Sequence, residues 1–148
     1  TTRLLQLEVV APSPIIAHRL GLLEQDSALL IKRLRMVNDE PLMIETSYLS
    51  QAQYPALLSE DLETQSLYHL LETLYNVQIM EAEHTLEPIL TTPFETQHLG
   101  VDAQQPAMLV RVMAYTRDRT PVEFSKSIVR GDRCRYYFQV HTRKPIIT

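Results

Sequence analysis

The chain has 148 residues, 45% of them hydrophobic and 22% charged, with fourteen basic against eighteen acidic side chains and a formal net charge of −4. That balance fits one soluble globular domain, long enough to bury a core without staples, and the acidic pI of about 5.7 argues against a nucleic-acid surface. The lone Cys134 excludes an intrachain disulfide and points to a reducing, cytoplasmic setting; five scattered histidines suggest no metal site, and no apolar run reaches the ~20 residues of a membrane helix.

Leu4 to Val10 alternates loosely and reads as a first strand. Ser13-Pro14 then predicts a capped helix with proline at its first position, carrying Ile15, Ile16 and Leu20 and stopping at Gly21. Ala28 to Val37 and Leu42 to Leu49 read as a hairpin around Asn38-Asp39-Glu40-Pro41. Tyr54-Pro55 interrupts the pattern. From Ser66 to Tyr75, Leu67, Leu70, Leu71 and Leu74 recur at helical spacing on one face, with Asn76 as the stop.

Val77 to Ile89 reads as a long strand with Met80, Ala82, His84 and Leu86 on one side. Thr92-Pro93 opens a short helix through His98, closed by Gly100. Ala107 to Tyr115 and Val122 to Val129 form a second hairpin around Arg117 to Pro121, and Arg135 to Thr142 reads as a last strand. Hairpins dominate this order, so the expected class is α+β, a largely antiparallel sheet with helices on one face. The two hairpins echo each other: Arg33, Asp39-Glu40-Pro41 and Glu45 against Arg111, Asp118 to Pro121 and Glu123. A pseudo-repeat and a coincidence both explain this.

Arg33 and Arg35 share a strand face, their bases about 7 Å apart at ~3.3 Å rise per residue. Two guanidiniums so placed can close on one anion, since arginine favours bidentate contact with phosphate or carboxylate. The plainer reading is a weak surface bridge to Glu45. Ser66 opens the leucine-faced helix, whose first N–H groups lack internal partners and favour an anion; it also reads simply as a cap. Glu45 and Glu123, each on a return strand, can accept hydrogen bonds from sugar hydroxyls or an amine, or stand as ordinary exposed glutamates. A three-residue loop at 38–40 would set Glu45 opposite Arg33; a four-residue loop would turn it away. Nucleophile-elbow, phosphate-loop and zinc-helix motifs are missing, and neither His69 nor Cys134 has a sequence-adjacent catalytic partner.

From Pro14 to Phe138 the chain resembles the effector-sensing UTRA domain of HutC-type GntR-family bacterial transcriptional regulators. The resemblance rests on Ile31 to Tyr48 (IKRLRMVNDEPLMIETSY), on Ser66-Leu67-Tyr68 with Leu71-Glu72, on Pro121 to Ser125, and on Arg130-Gly131-Asp132-Arg133. It implies a chorismate-lyase-like fold, no enzymatic activity and no cofactor, a small-molecule effector, and a homodimer. DNA contact would come only through an N-terminal winged helix-turn-helix absent from this chain, consistent with a chain that starts at Thr1 rather than Met. By position, the resemblance puts the effector phosphate on Arg33, Arg35, Ser66 and Tyr68. It puts the sugar or other polar contacts on Glu45, Glu123 and Arg130. Val129 stands where the amino-sugar-phosphate-sensing branch commonly carries an aromatic residue, so the resemblance leaves the effector open between a phosphorylated sugar and another small acid. A ligand-free dimerisation module and a small lyase on the same fold are the alternatives.

Overall fold

The structure is a computed structural model that describes residues 1–147. Its centre is a six-stranded sheet: β1 (Thr2–Val10), β2 (Ala28–Val37), β3 (Glu40–Ser50), β4 (Glu81–Leu90), β5 (Pro106–Tyr115) and β6 (Pro121–Arg130). The spatial order is β1-β2-β3-β6-β5-β4, and every neighbouring pair is antiparallel. Three helices accompany it: α1 (Pro14–Leu20), α2 (Leu67–Tyr75) and α3 (Pro93–Leu99). The architecture is the α+β class expected.

The helix ends follow local chemistry. Ser13 and Ser66 accept hydrogen bonds from the amides of Ile16 and His69. Thr92 and Glu95 form a reciprocal capping box. Gly21, Asn76 and Gly100 close the three helices with left-handed φ of 69°, 54° and 65°.

The helices divide between the two faces of the sheet, where one face was expected. On one side, Leu67, Leu70 and Leu71 of α2 pack on Leu29, Ile31 and Leu49, with Leu57 and Leu62 from the connecting segment. On the other, Ile16 and Leu20 of α1 meet Met113 and Phe124. Leu99 of α3 meets Leu34 and Ile44 there too. The central strands are therefore buried on both faces, and alternation alone could not show it. A 3-10 turn at Pro55–Ser59, unassigned from sequence, carries Leu57 into the α2 side of the core.

Three boundaries differ from expectation. The first hairpin turns on two residues only: Asn38 and Asp39 take positive φ of 51° and 62°, and β3 already begins at Glu40. Such a loop matches the twist of the flanking strands. A bulge between Arg35 and Met36 restores the parity of a three-residue loop, so Glu45 lies directly opposite Arg33. Next, residues 77–80 are not strand. The Val77 amide donates to Leu71 at the helix end, and Val77 and Ile79 pack on the α2 core before β4 starts.

The expected last strand, Arg135 to Thr142, is likewise not formed. Both sides of β6 are already occupied, by β3 and β5. After a 3-10 turn at Gly131–Arg133 the chain leaves the sheet with its aromatic side chains exposed.

Candidate functional site

A polar cleft of about 430 Å³ opens between the start of α2 and the adjacent face of the sheet. Its floor comes from alternate residues of four neighbouring strands: Arg33 and Arg35 of β2, Glu45 of β3, Glu123, Ser125 and Ser127 of β6, and Val112 of β5. Register explains the grouping. Arg33 pairs with Glu45, Glu45 with Ser127, Ser47 with Ser125, and Ser125 with Val112. Ala82 and His84 of β4 extend the wall.

The opposite wall is the segment leading into α2, with Glu63, Thr64, Gln65, Ser66 and Tyr68. Asp61 shapes this segment: its carboxylate accepts the amides of Glu63 and Thr64 at 3.0 and 3.2 Å and the Thr64 hydroxyl at 2.5 Å. Those bonds, the hydroxyl's first, hold the Asp61 carboxyl below its ordinary pKa. Glu63 in turn accepts the Leu4 amide at 2.6 Å, tying the segment to the edge of β1.

Six of the seven residues singled out from sequence line this one cleft: Arg33, Arg35, Glu45, Ser66, Tyr68 and Glu123. The seventh, Arg130, lies elsewhere. Its guanidinium donates to Asp132 at 2.8 and 3.0 Å and to the Pro41 carbonyl at 3.1 Å, so it ties the exit of β6 to the start of β3. Val129 is buried between Met43 and Met108 and does not line the cleft. His69 is an exposed helix residue outside the cleft.

Arg33 is buried, 4% exposed, and Nη2 donates to Glu45 Oε1 at 2.5 Å. Arg35 is exposed and stands 3.9 Å from the other Glu45 oxygen. The Glu45 bridge expected of a surface pair therefore exists, but one of its arginines is inside the protein. Arg33 Nε, buried, has no hydrogen-bond partner among the described residues. Buried donors of that kind cost free energy unless something satisfies them.

Glu123 is the other buried charge, 3% exposed. The Tyr68 hydroxyl donates to its Oε1 at 2.7 Å. Burial pushes the Glu123 carboxyl above the ordinary carboxylate range; the Tyr68 and Ser47 hydroxyls and the Arg33 charge oppose this, and the nearby Glu45 charge adds to it. Tyr68 is raised in turn, first by burial and then by the Glu123 carboxylate. Tyr68 therefore spans the cleft, from α2 to β6, as a neutral phenol.

Sequence reading did not find Glu63, Thr64, Gln65, Ser125, Ser127 or His84 as cleft residues. The Asp61-x-x-Thr64 spacing was a usable turn signal. Ser125 and Ser127 follow from Glu123 by strand parity.

Residues 1–135 match the UTRA domain family. The chain belongs to that family. It is 30% identical over 132 residues to the HTH-type transcriptional repressor NagR of Bacillus subtilis, a match covering 89% of this chain and 54% of the relative. The chain thus spans about half the length of that repressor. Among solved structures, the C-terminal domain of the histidine utilization repressor from Pseudomonas syringae aligns with a TM-score of 0.85 at 26% identity, over 96% of this chain and 99% of that one. The effector domain of PhnF from Mycobacterium smegmatis aligns with a TM-score of 0.90 at 23% identity, over 95% and 86%. At that identity the PhnF likeness bears on the fold alone, and the fold agrees with the chorismate-lyase-like expectation.

Proposed function

We propose that this UTRA domain is the effector-sensing part of a bacterial transcriptional regulator, and that the cleft binds a small anionic metabolite, a phosphorylated sugar or amino sugar in the first instance. The observation that carries the reading is a buried arginine with an unsatisfied Nε in the same cleft as the exposed Arg35 and the start of α2. An anion there would meet two guanidiniums, the Ser66 hydroxyl and those first amides of a nine-residue helix that the Ser66 cap leaves without a partner. Glu45 and Glu123 accept hydrogen bonds from the hydroxyl or amine groups at the other end of such a ligand. Ligand and Glu45 compete for Arg33, so binding repartitions an existing ion pair and does not fill an empty charge site.

The likeness to HTH-type transcriptional repressors supports a regulatory rather than an enzymatic reading. Regulation works by population shift: the effector must bind one arrangement of the whole regulator better than another. DNA contact belongs to a winged helix-turn-helix outside these 148 residues, and the regulator acts as a homodimer in the cytoplasm. Isothermal titration with hexose 6-phosphates, an amino-sugar phosphate and inorganic phosphate tests the site. At least one phosphorylated compound binds while its unphosphorylated counterpart does not. Arg35→Ala, an exposed substitution that spares the core, weakens that binding at least tenfold. Unchanged affinity in Arg35→Ala, or equal binding of the unphosphorylated sugar, overturns the site.

A further inference from the structure

The cleft is longer than a phosphate with one sugar ring needs. Its floor runs from Arg33 and Arg35 on β2, across β3, β6 and β5, to Ala82 and His84 on β4. With neighbouring strands ~4.8 Å apart, those four steps cover about 19 Å. A phosphate on the two arginines and one ring beside Glu45 and Glu123 take up β2, β3 and β6. The two remaining steps, about 10 Å at that spacing, lie over Val112, Ala82 and His84. Register makes this end continuous with the rest. Ser125 pairs with Val112 and Val112 with His84, while Glu123 leads through Ala114 to Ala82.

The chemistry of the floor changes along that line. Two guanidiniums stand at the β2 end and two carboxyls in the middle. At the β4 end, Ala82 and Val112 offer small apolar surface, with the His84 ring beside it and the buried hydroxyls of Ser125 and Ser127 behind. An apolar floor with polar groups at its rim matches a pyranose ring, whose C–H faces are apolar and whose hydroxyls point outward. A second phosphate there would meet neither arginine nor lysine among the described lining residues, and it would share the floor with the Glu123 carboxyl. An alkyl chain would set hydrocarbon against the Ser125 hydroxyl and that carboxyl, which costs free energy.

We infer that the β4 end of the cleft is a second sugar subsite, and that the effector is a phosphorylated two-ring glycoside. His84 hydrogen-bonds the ring farther from the phosphate; a neutral imidazole offers that ring one donor and one acceptor. Ser125 lies between the two rings, one strand from His84's neighbour Val112. The cleft volume of about 430 Å³ falls among those of sites that enclose whole ligands of that size. The second subsite presupposes the anion site proposed above and adds to it the length of the ligand.

Isothermal titration of the 148-residue chain tests this with glucose 6-phosphate, maltose 6′-phosphate and cellobiose 6′-phosphate. The two disaccharides extend the same phosphorylated ring by a second ring, in α or β linkage. At least one of them binds at least tenfold more tightly than glucose 6-phosphate. His84→Ala brings the affinities for one ring and two within about threefold, the loss expected when a hydrogen bond to a ligand hydroxyl goes. Ala82→Trp does the same by filling the subsite. Both positions are exposed on β4, so neither substitution touches the core. Equal affinity for one ring and two, a preference that survives both substitutions, or fructose 1,6-bisphosphate as the tightest ligand overturns the second subsite and leaves the anion site standing. Failure of every phosphorylated compound to bind overturns the anion site, and the second subsite with it.

Discussion

At the scale of single residues, the burial of Glu123 gives the fold a pH dependence. The Glu123 carboxyl is buried and raised by that burial, which the Tyr68 and Ser47 hydroxyls oppose. A carboxyl whose pKa is higher folded than unfolded binds more protons in the native state. Stability then falls as pH rises from the ordinary carboxylate range through the folded value. Glu123→Gln keeps the shape and the acceptor for Tyr68 and removes the ionisation. Urea unfolding of both proteins at pH 4.5 and pH 7.5 checks this: relative to wild type, the variant gains stability at the higher pH. A difference independent of pH would mean that Glu123 ionises in the fold as freely as in the unfolded chain. Arg33 and Glu123 were legible as candidates because strand parity needs only local sequence. Their burial was not, since it depends on α2 lying across the same face.

Among the elements, caps and turns carried the most reliable signal. Ser13-Pro14, Thr92-Pro93, Gly21, Asn76 and Gly100 all end helices where local chemistry placed the ends. What escaped was whatever depends on a distant partner: the Arg35–Met36 bulge, the two-sided burial, and the failure of 135–142 to pair. The hairpin echo also breaks at this level. Arg111, the counterpart of Arg33, points to the opposite face and bridges Glu87 at 3.0 Å. The exit of β6 supplies a prediction. A side chain at Gly131 would put its Cβ 2.4 Å from the Pro106 carbonyl oxygen, and the obstruction is backbone. Gly131→Ala should cost about 1–3 kcal/mol, the range of overpacking, read by urea midpoint. A loss under about 0.5 kcal/mol, the scale of an ordinary surface change, would mean that the turn does not hold the chain against β5.

For the molecule as a whole, the cleft joins two parts that otherwise meet through the leucine core. One is the sheet from β2 to β4. The other is α2 with the segment that Asp61 shapes and Glu63 ties to β1. Tyr68 to Glu123 is the one side-chain hydrogen bond among those described that crosses from α2 to β6. An anion held by Arg33, Arg35 and the first amides of α2 would add a second crossing, and a ligand bound only to the native state stabilises by mass action. At one hundred times its dissociation constant the gain is about 2.7 kcal/mol. For a domain near 150 residues, where 1 kcal/mol moves the midpoint by about 2–4 °C, that amounts to about 5–11 °C. A thermal-shift series with phosphorylated sugars should reach that range for the cognate ligand and collapse in Arg35→Ala. Glu123→Gln should move the size of the shift with pH less than wild type does, because it removes a buried carboxyl that lines the cleft. If the shift is the same in Arg35→Ala, the ligand stabilises the fold from somewhere other than this cleft.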